Sequence, residues 1–365
     1  MLHAVIMAGG SGTRFWPESV SQRPKQLLTL VGDRSLVQQS VDRLSGFVPA
    51  DRVLIVTNQK LVDAIGSQLP ELPRASIIGE PCKRDTAPCI GLAAMLVMMR
   101  HSDPEATMLV MPSDHVIQDV AAFQQAVRLA EQLVAESPSR IVTFGVRPTY
   151  PAESFGYIER GERIAPPKEV SGAPVYRVRQ FKEKPKADVA RQYVESGNFY
   201  WNSGIFVWKA ATILDALEEH QPELAAHLER IAETEFVGPD YLEVLNREFM
   251  AIRSVSIDYA VMEKAEDVVV IEAPFDWDDV GSWQAIARLG GTDADGNTIA
   301  AKHVGLRTTG SVVRASDNHL VVTLGIKDCI VVHTPQATLV ANKHDEESIR
   351  QLVKLMEEQG LEEYL

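Results

Sequence analysis

Cysteine is scarce in this chain of 365 residues, with only Cys82, Cys89 and Cys329 present. Their spacing matches neither a zinc site nor a disulfide framework, so buried thiols are the expected state. Cys82 and Cys89 are seven apart, which would put both on one face of a helix. No apolar run approaches the about 20 residues needed to cross a bilayer. The strand-like N-terminus has no signal-peptide pattern. No membrane partner and a cytoplasmic location are therefore expected. Positive charge is also short: 36 Lys and Arg face 50 Asp and Glu, a net charge of −14. Nonspecific nucleic-acid binding needs broad basic surface, so no nucleic-acid partner is expected. A phosphate ligand must instead be met by local cations such as Arg14, Arg23, Lys25 and Lys184. Hydrophobic content of 45% and charged content of 24% are those of an ordinary soluble globular protein, long enough for one large domain and a smaller one.

Two common phosphate motifs are missing as well. No Gly-x-x-x-x-Gly-Lys-Ser/Thr run follows Gly9, which excludes a P-loop. The dinucleotide fingerprint fails because Phe15 stands where a third glycine would be and Pro17 interrupts any helix starting there. What is present is a short apolar run, Ala4 to Ala8, of the kind that makes a buried parallel strand. It breaks into Gly9, Gly10, Ser11 and Gly12, followed by Thr13, Arg14 and, further on, Pro24-Lys25. Glycines in this setting let backbone N–H groups face a ligand with no Cβ in the way, and such a nest binds anions. A plain glycine-rich turn is the bland alternative. The ordered set of strand, glycines, Arg14 and Lys25 suits nucleotide phosphates better.

The first half of the chain alternates strand-like and helix-like runs. Strands are expected at Val5–Met7, Val53–Val56, Ala75–Ile78, Met108–Met111 and Ile141–Phe144. Helices are expected at Leu36–Leu44, Leu61–Leu69, Thr86–Met99 and Ala121–Val134. This alternation predicts an α/β fold with a mostly parallel sheet and right-handed crossovers. Ligands bind beyond the carboxyl ends of such strands, so the glycine loop and Asp114 should share that edge. The stretch Ala165 to Pro174 reads as a hairpin or loop, followed by strands at Val175–Phe181 and Gly204–Trp208. Residues Ala211 to Asn246 read as surface helices. After a linker near Gly290–Gly296 the runs become short: Val312–Arg314, Leu320–Val322, Ile330–Val332 and Thr338–Val340. These make a small β-rich unit closed by a helix over Glu346–Gln359.

The segment AGGSGTRFWP with RPKQ resembles the signature of the sugar-phosphate nucleotidylyltransferases. It is most similar to the bacterial mannose-1-phosphate guanylyltransferases. PSDH at 112–115, FKEKP at 181–185, WNSGIF at 201–206, SIDYAVMEK at 256–264 and WDDVGSW at 277–283 follow in order. The resemblance covers about residues 1 to 290 and, more weakly, the tail. It implies a Rossmann-like, GT-A-like nucleotidyltransferase domain over 1–290. Residues 291–365 would form a β-helix-like unit that joins subunits, here into a homodimer. The implied reaction converts GTP and mannose 1-phosphate into GDP-mannose and pyrophosphate. Both reactants are anions and the nucleophile is already ionised, so catalysis needs positioning, cations and a metal rather than a general base.

The resemblance then assigns roles. Ala8, Gly9, Gly10, Gly12 and Thr13 would cradle the nucleotide, with Arg14 and Lys25 as catalytic cations. Asp114 and Asp279 would hold Mg²⁺, which prefers one or two carboxylates plus phosphate and water oxygens. Asp278 could substitute or support, and Asp114 could otherwise be a turn or cap residue. Arg84, Asp85 and Thr86 lie in the segment that resembles the guanine-proximal one. Many relatives carry Asn where this chain has Asp85, and a carboxylate there could accept from guanine or simply cap the following helix. Gly156, Glu183, Lys184 and Asn202 would receive the sugar phosphate. Trp277 and Trp283 read as packing residues, and His115 receives no role. Two competing readings are another base or hexose, such as a glucose-1-phosphate uridylyltransferase, and a non-catalytic sugar-nucleotide-binding regulator. Retention of Arg14, Lys25 and both aspartates argues against the regulator. No isomerase activity is expected.

Overall fold

The apolar run near the N-terminus becomes strand β1, Leu2–Ala8, with Ala4, Val5, Ile6 and Ala8 fully buried. The computed structural model describes residues 1–10, 12–101, 103–165, 172–234 and 238–365. Its chain separates into two units. The first comprises Met1–Gly9, Val41–Pro112 and Ile117–Trp277; the second comprises Gly10–Ser40, Ser113–Val116 and Asp278–Leu365.

In the first unit, β1 joins β2 (Val53–Asn58), β3 (Ile77–Glu80), β4 (Thr107–Pro112), β5 (Ile141–Val146), β6 (Tyr157–Ile164), β7 (Val175–Lys182), β8 (Phe199–Lys209) and β9 (Val268–Glu272). They form one nine-stranded sheet in the order β3-β2-β1-β4-β8-β5-β9-β7-β6, with β6 also pairing with β8. The β3-β2-β1-β4 part is parallel, as the strand–helix alternation requires. Strand β8 runs antiparallel to both β4 and β5, so the sheet is mixed. Met7 on β1 pairs with Pro112 on β4, which brings the starts of the glycine loop and of the Asp114 loop to one sheet edge.

Helices α1 (Leu36–Asp42), α2 (Val62–Gln68), α3 (Thr86–His101) and α4 (Val120–Glu136) follow the early strands. Helix α3 is apolar all round and correspondingly buried, from Ala87 through Val97. Helices α5 (Ala187–Ser196), α6 (Ala210–His220), α7 (Pro222–Ala232) and α8 (Pro239–Ala251) complete the unit. The expectation of purely surface helices over 211–246 is corrected here. Ile213, Leu217, Leu224, Leu228 and Ile231 on α6 and α7 are core residues packed with α3. A Cβ at Gly91 would collide with Leu228, so α7 approaches α3 closely only because that position is glycine.

Two smaller expectations also change. The strand foreseen from Ala75 starts at Ile77, because Arg74–Ser76 form a 3-10 turn after Pro73. Cys82 does not share a helix face with Cys89: Pro81 and the left-handed Asp85 (φ 66°) delay the helix until Thr86. Of the expected 165–174 loop, residues 166–171 lie outside the described residues, as do 235–237 of the helical stretch and Ser11 of the glycine loop.

The second unit contains α9 (Trp283–Gly290), α10 (Ile349–Glu358) and strands β10 (Thr298–Ala300), β11 (Lys302–Leu306), β12 (Val312–Ala315), β13 (Leu320–Leu324), β14 (Cys329–His333) and β15 (Thr338–Asn342). β10, β12 and β14 pair in parallel, β11 pairs in parallel with β13, and β15 closes antiparallel on β14. Successive parallel pairs of this kind are the coil of a β-helix. The core of this unit joins distant stretches: Phe15, Trp16, Leu28 and Leu36 pack with Val116, Val280, Trp283, Val312, Ile330, Ile349 and Val353. A buried ion pair ties the same stretches together. Arg314 Nε donates to Glu18 Oε1 at 2.6 Å, and its Nη2 donates to the Thr29 carbonyl at 2.6 Å.

Removing one member of a buried, hydrogen-bonded pair leaves the other charge uncompensated. Glu18→Ala should therefore cost about 3 kcal/mol of stability, read as a lower urea midpoint at unchanged m-value.

Candidate active site

In the second unit, three short segments meet around one ammonium group. Lys25 begins a 3-10 turn after Pro24 and is 7% exposed. Its Nζ donates to Asp114 Oδ2 at 2.7 Å and to the Asp279 carbonyl at 2.6 Å. Gly12 makes this possible. It sits at φ 64°, in the left-handed region, and any Cβ there would strike the Lys25 Cβ. Gly9 and Gly10 are exposed, with open space where a Cβ would stand. The Ala8 carbonyl at the end of β1 accepts from Thr57 Oγ1 at 2.8 Å, which fixes the point where the chain leaves the sheet.

Asp114 and Asp279 differ electrically. Burial would raise the Asp114 carboxyl, but the charges of Lys25 and His115 outweigh it and hold it below the usual range. His115, expected to have no role, places its Nε2 3.8 Å from Asp114 Oδ1. Asp279 is pushed up, first by burial and then by the nearby Asp278 and Asp114 carboxylates, against the opposing charges of Lys25 and Arg14. The two adjacent aspartates of the Trp-Asp-Asp segment separate cleanly. Asp278 is held by Arg288 through Nε at 3.0 Å and Nη2 at 3.2 Å, and it accepts the Val280 N–H at 2.7 Å. Asp278 forms an isolated bridge with Val116, and the next turn is set by Val280 at φ 47°. Left-handed backbone at a β-branched residue stores strain. A Cβ at Gly281 would sit 2.7 Å from Asp279 Oδ2, so that glycine keeps the carboxylate's place clear.

Mg²⁺ accepts one or two carboxylates and completes its shell with phosphate and water oxygens, a donor set that Asp114 and Asp279 fit. Among the described residues no three His, Cys, Asp or Glu side chains form a self-sufficient metal cage. Asp279, raised first by burial and then by the neighbouring carboxylates, is the carboxylate that a divalent ion would relieve.

The remaining predicted residues gather in the first unit. Asn202 lies on β8, and its Nδ2 donates to Asp258 Oδ1 at 2.9 Å. The Asn202 N–H donates to the Gly156 carbonyl at 2.8 Å. A Cβ at Gly156 would come within 2.6 Å of Glu183 Oε2, so Glu183 occupies space that glycine leaves. Lys184, at φ 44°, turns its ammonium back to Glu183 Oε1 at 2.6 Å. The segment 84–87 docks on 255–257: Ala87 N–H donates to the Val255 carbonyl at 3.1 Å, and Ile257 N–H donates to Thr86 Oγ1 at 2.8 Å. Arg84 donates through Nη2 to the Met250 carbonyl. Asp85 Oδ1 accepts the Thr86 N–H at 2.9 Å, a role in shaping the helix start.

Sequence reasoning missed two buried carboxyls here. Asp258 was inside a recognised motif but had no role. Burial, then the Glu183 charge, raises it to about 7, with Lys184 opposing. Its signal was the acidic residue within an otherwise apolar SIDYAVM run. Glu80 ends β3 and is 7% exposed, with Oε1 lacking a partner; burial raises it to about 8, with a Cys89 hydrogen bond opposing. Pro81 hid it by making Glu80 read as the first residue of a loop.

A family model described as nucleotidyl transferase matches residues 3–295. A second, described as a MannoseP isomerase/GMP-like beta-helix domain, matches 301–356. An Escherichia coli protein named mannose-1-phosphate guanylyltransferase 2 is 36% identical over 99% of this chain and 75% of its own length. A Salmonella typhimurium mannose-1-phosphate guanylyltransferase is 36% identical over 100% of this chain and 75% of its own. A solved structure from Thermus thermophilus, named mannose-1-phosphate geranyltransferase, superposes with a TM-score of 0.84 at 32% identity, covering 98% of this chain and 99% of its own. No helix among the described residues is long and apolar enough to cross a membrane.

The raised Asp258 carboxyl has a sign that can be checked. Between its ordinary 3.8 and about 7, the folded chain holds a proton that the unfolded chain releases. Stability should therefore be greatest below that window and fall as pH rises through it. Urea unfolding of the parent and Asp258→Asn across this range should show the parent losing stability relative to the variant.

Proposed function

The chain belongs to the nucleotidyl transferase family, and from that membership we propose that it transfers GMP from GTP to α-D-mannose 1-phosphate, giving GDP-mannose and pyrophosphate. An oxygen of the sugar phosphate attacks the α-phosphorus in line. A new P–O bond forms as the bond to the bridging oxygen breaks, and pyrophosphate leaves with that electron pair. The nucleophile needs no proton removed, so the residues' task is to hold two anions together. The observation that carries the reading is Lys25, buried between Asp114 and the Asp279 carbonyl and packed under Gly12.

Arg14 and Lys25 offset phosphate charge, and the backbone of Gly9, Gly10, Gly12 and Thr13 lies along the triphosphate. Asp114 and Asp279 would hold Mg²⁺, with Asp278 kept in reserve by Arg288. The metal, when bound, supplies Lewis-acid charge to the phosphates. Arg84, Asp85 and Thr86 shape the base-proximal segment. Glu80 is the buried carboxyl at the end of β3 with capacity left to accept from guanine. Lys184 meets the sugar's phosphate, while Glu183, Asn202 and the Gly156 backbone meet its hydroxyls. Asp258 accepts from the Asn202 amide nitrogen while the Asn202 oxygen accepts the Gly204 N–H, which fixes the amide plane beside Gly156 and Glu183. We place catalysis in residues 1–290 and subunit joining in 291–365, and a nucleoside triphosphate substrate fits a cytoplasmic setting. A homodimer is supported by the open face of β11 and β13, where Val304, Leu306, Leu320, Val322 and Leu324 are all exposed and in register.

Pyrophosphate release from GTP and mannose 1-phosphate with Mg²⁺ tests the assignment. Asp114→Ala and Asp279→Ala should each lower kcat/KM by about a hundredfold or more, as loss of transition-state charge stabilisation does. Asp278→Ala should lower it far less. Full turnover in both of the first two variants, or a preference for UTP with glucose 1-phosphate, would refute the reading. For the dimer, Val322→Lys should shift the sedimenting species to the monomer mass while leaving the circular dichroism spectrum intact.

A further inference from the structure

Arg14 is engaged in the structure by a carboxylate from the end of the chain. Its Nη1 donates to Glu347 Oε1 at 3.0 Å, with the Arg14 side chain mostly covered and that of Glu347 66% exposed. Arg350 follows one turn later. Burial and the like charge of Arg14 lower its pKa, with Glu347 opposing. The segment carrying both residues is fixed on two sides. Phe15, next to Arg14, packs in one cluster with Ile349 and Val353. Glu346 accepts from Gln284 Nε2 at 2.6 Å and from the Gln284 N–H at 3.2 Å, which fastens it to α9 just beyond Asp279 and Gly281. Behind it, Trp16 Nε1 donates to the Tyr364 carbonyl at 2.8 Å.

Such a placement of two guanidinium groups is unfavourable without an anion. Like charges repel, and Arg350, exposed in the first turn of α10, also sits at the end of a helix where cations are disfavoured. That turn contains no acidic residue. The compensating group is Glu347, and an exposed single-contact pair of this kind contributes little. Paired guanidiniums match phosphate oxygens far better, because each can donate two parallel hydrogen bonds. Glu347 thus lies between Arg14, which it contacts, and Arg350, one turn along the same segment.

We propose that Arg350, with Arg14, binds the two terminal phosphates of the nucleoside triphosphate, and that Glu347 is their counter-ion between turnovers, displaced when the phosphates enter. This rests on the guanylyltransferase reading and adds no bond to it: Arg350 neutralises charge on the pyrophosphate as the bond from the α-phosphorus breaks. Glu347 returns to the two arginines when pyrophosphate leaves.

The experiment uses the full chain, its Arg350→Gln and Glu347→Gln variants, and both reaction directions. Arg350→Gln should raise KM for pyrophosphate and for GTP by about tenfold, the worth of a charge-assisted hydrogen bond, with KM for mannose 1-phosphate and GDP-mannose unchanged. Glu347→Gln should lower KM for pyrophosphate, since the competing anion is gone. Opposite signs in the two variants separate this role from a structural one, which would move every constant in the same direction. In parallel, inorganic pyrophosphate should raise the Tm of the parent and fail to raise that of Arg350→Gln. An unchanged KM for pyrophosphate in Arg350→Gln, or a raised one in Glu347→Gln, overturns the proposal. Should the parent make no GDP-mannose, the functional reading fails, and the Tm comparison with pyrophosphate alone decides the arginine pair.

Discussion

The geometry of the second unit depends on one buried ammonium group. Lys25 Nζ reaches Asp114, 89 positions away, and the Asp279 carbonyl, 254 positions away. Three segments, two of them joined by the single Val116–Asp278 bridge, are thereby given a common reference point. Burying an ammonium is expensive unless its hydrogen bonds are made. The arrangement is therefore nearly all-or-none: either the three segments are in place or the lysine is hydrated and none of them is. Gly12 underneath and Gly281 beside Asp279 are the concessions in backbone that let the group form. The strained Val280 turn is tolerated because the core around Trp283 holds it.

The first unit follows the same logic with the sign reversed. Around Asn202 the excess is negative, with Glu183 and Asp258 close together and Lys184 partly offsetting them. A raised carboxyl at Asp258 is the cost of that crowding. Asp85 and Lys184 also sit at positive φ, so the backbone is held in unusual conformations where the recognised motifs fall.

Much of the architecture was legible because it is encoded locally. Strand and helix alternation over the first half is a periodicity signal, and β1 to β4 with α1 to α4 follow it closely. Gly12, Asp114 and Asp279 stand in dense motifs whose neighbours constrain them. Side-chain partnerships were not legible, because nothing in a linear spacing tells which carboxylate meets which amide. Asp258 lies 56 residues from Asn202, and Glu347 lies 333 from Arg14. Helices α6 and α7 looked like surface elements because their many acidic residues mask a stripe of Leu and Ile that belongs to the core. The first β-helix strands, β10 and β11, were hidden by short length and polar content.

The Arg314–Glu18 pair and the Trp16–Tyr364 hydrogen bond have a practical corollary. Motif reading divides the chain near residue 290, yet the loop that begins at Gly10 folds as part of a body whose core is completed by β12, β14 and α10. A truncation that keeps every recognised motif but drops the tail would strip that loop of its scaffold. Grafting, minimisation or domain-swapping experiments on this architecture must treat residues 10–40 and the C-terminal segment as one inseparable piece.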